Sequence, residues 1–146
     1  LLYGTKRRSF KGYPPMKINK FIKENLKVTY PAEEYSSLRD TLTTSRLPRI
    51  FCNDGFSLSI QVGYSLYSEP KKVAKRYSKV EIGYPSEHES LIEKWAEFTP
   101  FEEDEEPDYT GTVYPYVPVN IVDKVLKKHG GIDMTETMSR AEQTGL

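Results

Sequence analysis

From Phe56 to Leu66 the apolar residues Phe56, Leu58, Ile60, Val62, Tyr64 and Leu66 alternate with Ser57, Ser59, Gln61, Gly63 and Ser65. A period of two predicts a strand with one face in a core and the other in water. Asn53-Asp54-Gly55 just before it is turn chemistry, so Arg49–Cys52 is predicted to pair back on this strand as a hairpin, with Pro48 ending the pairing. A second alternation, Val80, Ile82 and Tyr84 against Lys79, Glu81 and Gly83, predicts another strand.

Pro85 and then Ser86-Glu87-His88-Glu89 make a capping-box pattern, which predicts a helix over 86–98. Leu91, Ile92, Trp95 and Phe98 form its apolar stripe, while Glu89, Glu93 and Glu97 line another face. Residues 112–117 read as a strand, and Pro115, which has no N–H for a ladder, assigns it to an edge. The next helix begins near Pro118, buries Ile121, Val122, Val125 and Leu126, turns Lys124, Lys127 and Lys128 outward, and ends at Gly130. The order is β-β-β-α-β-α: an α+β fold with a small, mostly antiparallel sheet and two packed helices over residues 48–131. Residues 1–47 read as a basic arm. Within it Lys17–Lys27 is a helix candidate with Ile18, Phe21, Ile22 and Leu26 as its stripe, and Ala32–Leu42 is a weaker one. Residues 132–146 form a polar tail, a frayed helix or disordered.

The 21 basic and 21 acidic residues cancel overall, but they are segregated along the chain. Lys6, Arg7, Arg8, Lys11, Lys17, Lys20, Lys23 and Lys27 face only Glu24 in the first 29 residues. Residues 85–109 are the reverse: Glu87, Glu89, Glu93, Glu97, Glu102, Glu103, Asp104, Glu105, Glu106 and Asp108 against Lys94. Lys71, Lys72, Lys75, Arg76 and Lys79 make a second basic cluster, predicted as a loop because no apolar period runs through it. A mean hydropathy of −0.63 places part of the chain outside the core. No run of eighteen apolar residues and no leader pattern occurs, which predicts a cytoplasmic protein that does not engage a membrane.

Candidate chemistry is sparse. Cys52 is the single cysteine, and His88 and His129 are the only histidines, so neither a disulfide framework nor a Cys-rich zinc module is available. No nucleophile elbow, phosphate-binding glycine loop, HExxH or dinucleotide fingerprint is present. The expectation is therefore a non-enzymatic protein with no cofactor, no metal and no catalytic residue. Cys52 is expected to be a buried thiol and His129 to cap its helix. A hydrolase or nuclease would need a fold that brings His88 or His129 against Asp or Glu. The acidic run is expected as a solvated loop that lacks a calcium-loop pattern; its functional version docks on a basic partner or mimics phosphates.

The segments Asn53–Val62, Tyr77–Glu87, Thr110–Val119 and Lys128–Ile132 together resemble, in order and local wording, a small protein family of tailless single-stranded-DNA phages, the gokushovirus-like Microviridae. The resemblance spans about eighty residues. It implies a viral accessory protein in the host cytoplasm and carries over no site residue; the arm before Arg46 and the acidic insert depart from it. The leading expectation is a binding module that contacts a host or viral protein through Glu93, Glu97, Glu102, Glu103, Asp104, Glu105, Glu106, Tyr114 and Tyr116. The alternative is binding of single-stranded DNA or other single-stranded nucleic acid through Lys6, Arg7, Arg8, Lys11, Lys71, Lys72, Lys75 and Arg76, with interleaved aromatics stacking on bases. The oppositely charged segments also suit a homo-oligomer.

Overall fold

A tight turn joins two of the strands, longer connections join the next ones, and helices pack against the ends of the series. The computed structural model describes residues 15–29, 43–44, 46–98 and 106–144. The candidate helix Ala32–Leu42, the basic residues Lys6, Arg7, Arg8 and Lys11, and the acidic residues Glu102, Glu103, Asp104 and Glu105 lie outside them. In chain order the elements are α1 (Ile18–Asn25), β1 (Val28–Thr29), β2 (Thr43–Thr44), β3 (Ile50–Phe51), β4 (Ser57–Gln61), β5 (Lys79–Gly83), a 3-10 turn at Glu93–Trp95, β6 (Val113–Pro118), α2 (Val119–Lys128) and α3 (Met134–Thr144). Strands β3-β4-β5-β6 form an antiparallel sheet in sequence order, and β1 pairs separately with β2. With three helices beside that sheet the protein is α+β, as the periodicity predicts. No described helix is long and apolar enough to cross a membrane.

The predicted hairpin forms: Ile50 faces Leu58 and Phe51 faces Ser57, across a turn in which Gly55 takes φ +96°. Strand β4 departs from its prediction, because its polar face is covered as well. Ser57, Ser59 and Gln61 are all buried. Gln61 acts as a surrogate strand for the segment above it, accepting the Leu47 N–H at 2.9 Å and donating to the Leu47 carbonyl at 3.1 Å and to Ser59 Oγ at 3.0 Å. The strand ends at Gln61, short of the expected Leu66, as the chain turns from Gly63, at φ +132°, to Leu66.

The helix predicted over 86–98 is not formed; the segment is a run of turns ending in the 3-10 turn. Long-range partners outcompete the local cap. Ser86 exchanges hydrogen bonds with the Ser57 backbone, at 2.8 and 2.9 Å, and the Glu89 carboxylate is drawn into the interior by groups forty residues onward. Of the predicted stripe Ile92 is buried and Trp95 half-buried, but Leu91 and Phe98 are exposed.

The core also reaches upstream of residue 48. Ile18, Phe21 and Ile22 of α1 and Leu47 belong to the same buried cluster as Ile60, Val80, Ile82, Val122 and Leu126. The α1 N-terminus, which leaves orphan donors, is satisfied by Asp123 of α2, whose Oδ1 accepts the Ile18 N–H at 2.8 Å. The tail folds back too: Asp133 caps α3 by accepting the Glu136 N–H, and Thr137 Oγ1 accepts the Phe51 N–H at the edge of β3.

Candidate functional site

Two constellations gather the polar and aromatic side chains, one buried and one exposed. The buried one centres on His129, which follows α2 as its cap residue. Gly130 and Gly131, both at φ +86°, reverse the chain there, and the Gly131 N–H returns to the Leu126 carbonyl at 2.7 Å. Asn53 holds this reversal by donating its amide to Gly130 and Gly131. The imidazole, 5% exposed, stacks on Phe56 at 3.9 Å. Its Nδ1 lies 2.6 Å from Asp54 Oδ2 and its Nε2 2.6 Å from Glu89 Oε1. Each ring nitrogen thus faces a carboxylate oxygen.

Glu89 is 1% exposed and fully partnered, its Oε2 accepting the Leu91 N–H and the Lys128 ammonium, each at 2.9 Å. Burial alone would raise its pKa, but the Leu91 N–H, Lys128 and His129 together hold it below the ordinary 4.5. Cys52, two residues from Asp54, is buried, and burial first, then the Asp54 charge, pushes its thiol up to about 12. The fold thus does bring a histidine against two carboxylates, the arrangement a hydrolase would require. Both ring nitrogens face carboxylate oxygens of the cluster, however, and the ring is shut off from solvent.

The exposed constellation lies on the edge strand. Val80 pairs with Val117 and Ile82 with Tyr114, so Pro115 and Tyr116 of β6 stand opposite Glu81 alone: a bulge. Pro115 supplies no N–H to the ladder. Tyr116 takes φ +55°, a left-handed conformation costly for a bulky residue, and its N–H turns to the Tyr67 carbonyl at 3.2 Å. The Tyr67 N–H is held by Glu81 Oε1 at 3.2 Å. The two tyrosine rings meet at 5.6 Å, tilted 56°, and remain 39% and 37% exposed, with the Lys71 ammonium 5.2 Å from the centre of the Tyr67 ring.

The basic loop beyond Lys71 is held rather than loose. The buried Tyr77 hydroxyl donates to the Lys72 carbonyl at 2.8 Å and accepts the Ala74 N–H at 3.0 Å. The Asn19 side chain of α1 pairs with both backbone groups of Tyr77, at 2.9 and 3.0 Å. Lys71, Lys72, Lys75 and Arg76 are all exposed.

The predicted site residues are thus redistributed. Tyr114, expected at an interface, is 0% exposed, because β6 alternates and turns it into the core; its hydroxyl donates to the Tyr109 carbonyl. Glu93, Glu97 and Glu106 are exposed with Tyr116, but Glu93 and Glu97 belong to turns and not to a helix face. Glu93 Oε1 accepts the Tyr109 hydroxyl, and His88 stacks on Tyr109 at 3.9 Å. Sequence reasoning counts Tyr67 among the tyrosines beside the strands and Glu89 among the glutamates of an interface face, but it does not pair Tyr67 with Tyr116 or bury Glu89 against His129. The Pro115-Tyr116 pair opposite a regular strand was the available signal for the first, and none was available for the second, whose neighbours Glu87 and Glu93 are exposed acids. Among the described residues no group of three His, Cys, Asp or Glu is placed to hold a metal. Comparison with protein-family models, curated proteins and solved structures finds no match.

Proposed function

We propose that this protein is a non-enzymatic binding module whose contact surface is the Tyr67–Tyr116 platform on the sheet edge. The observation that carries this is the bulge, which sets Tyr116, in a strained left-handed conformation, exposed and packed on a second exposed tyrosine. The buried cluster supports the reading from the other side, since its carboxylates and imidazole are spent on joining the β3–β4 turn, the 86–92 segment and the end of α2. The resemblance to the gokushovirus family supports an accessory role inside an infected bacterial cell.

Capture from bacterial lysate tests it, with retained protein and nucleic acid both analysed. Material held by the wild type is expected to be lost with Tyr67→Ala/Tyr116→Ala and kept with Arg140→Ala on α3. Capture that survives loss of both tyrosines would overturn the assignment. A second reading, contact with a basic protein through Glu93, Glu97 and Glu106, is favoured by one observation: exposed Leu91 and half-buried Trp95 line a shallow depression of about 520 Å³ beside Glu93.

A further inference from the structure

We infer that the partner of the tyrosine platform is a single strand of nucleic acid, an inference that rests on the platform being the contact surface. Its elements are contiguous by direct contact. Tyr116 packs on Tyr67, Lys71 lies over Tyr67, the Lys72 carbonyl is held by Tyr77, and Tyr77 is bonded to Asn19 of α1. The residues adjoining those last two anchors, Arg76 and Lys20, are both exposed cations, and Lys23 follows on the same helix. The basic loop is therefore bonded directly to the basic helix. A groove of about 370 Å³, lined by Pro70, Arg76, Tyr77, Ser78 and Val119, opens three residues beyond Tyr116.

Exposed aromatic faces flanked by cations suit unpaired bases on a phosphate chain, because every base offers a π-face and every linkage one negative charge. A duplex hides its base faces and leaves the tyrosines unused. Acids lie on this side as well and keep their charge: Glu24 on α1, Glu81, bound to the Tyr67 N–H, and Glu69, whose Oε1 accepts the Ser78 hydroxyl; Lys20, Lys23, Lys71, Lys72, Lys75 and Arg76 outnumber them. The acidic turns lie at the other end of β6, where the Glu97 N–H meets the Val113 carbonyl. The basic loop meets the strand's far end, where the Val119 N–H meets Ser78. Those ends are roughly 15 Å apart at the rise of a strand. Among the described residues the basic loop and the acidic turns thus lie at opposite ends of β6, so a polyanion meets the cations first at the Ser78 end.

Fluorescence anisotropy of the full chain with labelled oligothymidylate, oligouridylate and a matched duplex, each of about 20 nucleotides, tests the inference. Binding is expected to favour either or both single strands over the duplex and to fall steeply between about 50 and 200 mM salt. Tyr67→Ala/Tyr116→Ala is expected to weaken it about tenfold or more, and Tyr67→Phe/Tyr116→Phe, which keeps the rings, to restore it. Lys71→Ala and Arg76→Ala should each lower the salt slope by about 0.7. Tighter binding of one single strand assigns the sugar. Equal affinity for duplex, or affinity indifferent to the tyrosines, would overturn the inference. Absence of oligonucleotide binding with lysate capture of protein still dependent on Tyr67 and Tyr116 would overturn the nucleic acid and leave the contact surface standing; loss of both dependences would remove both.

Discussion

Nε2 of His129 sits 2.6 Å from Oε1 of Glu89, forty positions earlier in the chain, and both side chains are withdrawn from solvent. The contact fastens the end of α2 to the segment that replaces the expected helix. Removing Glu89 leaves the buried Nε2 and the Leu91 N–H without their partner, while Asp54 stays on Nδ1. Glu89→Ala is therefore expected to cost about 3 to 5 kcal/mol in urea unfolding. A loss under about 1 kcal/mol would show that the cluster is not what closes this part of the fold.

The same carboxylate sets an acid limit. Its pKa is held below the ordinary 4.5, so its contribution is fully present above that value and is lost as pH falls through the folded-state value. Lys128 and His129 face it within the cluster, and Asp54 lies beyond, on the far nitrogen of the ring. Thermal midpoints are expected to fall on acidification below about 4.5, and Glu89→Gln to flatten that part of the profile. A wild-type profile no steeper than that of Glu89→Gln would contradict the assignment.

Cys52 is expected to be inert in the native state. Its thiol is 1% exposed and is pushed up to about 12, first by burial and then by Asp54, so the nucleophilic thiolate is scarce at neutral pH. Labelling with an aromatic disulfide reagent should proceed only at the rate at which the chain opens, and should accelerate in urea in step with unfolding. Rapid labelling of the folded protein would contradict its placement.

Tyr116 separates stability from function. At φ +55° glycine is relieved of a clash that alanine retains, so Tyr116→Gly is expected to be more stable than Tyr116→Ala by about 1 kcal/mol, although both remove the ring. Equal stabilities in chemical denaturation would mean that the left-handed conformation is not retained at this position.

Elements whose signals were local were legible in the sequence. The alternation through Leu58 and Ile60, the Asp54-Gly55 turn, the Gly130 stop and the edge position implied by Pro115 all reappear, because each depends on residues within a few positions of one another. The segment from Ser86 to Phe98 was misread because its local cap competes with His129 and Lys128, which no window of that size contains. The wet face assigned to β4 failed likewise: Leu47 covers it through Gln61, and a polar residue bonded to backbone is written in the same letters as one bonded to water. Of the site, the exposed cations were visible in the charge pattern, whereas the pairing of Tyr67 with Tyr116 arises from a register shift that composition does not record.

The most direct test of the contact surface is an amide chemical-shift map of the full chain, titrated with a single-stranded oligonucleotide. Perturbations are expected to concentrate at Tyr64–Lys79, at Tyr116–Val119 and along the exposed side of α1. Shifts confined to the Glu93–Glu97 turns, or scattered without relation to Tyr67 and Tyr116, would contradict the placement of the binding surface on this edge of the sheet.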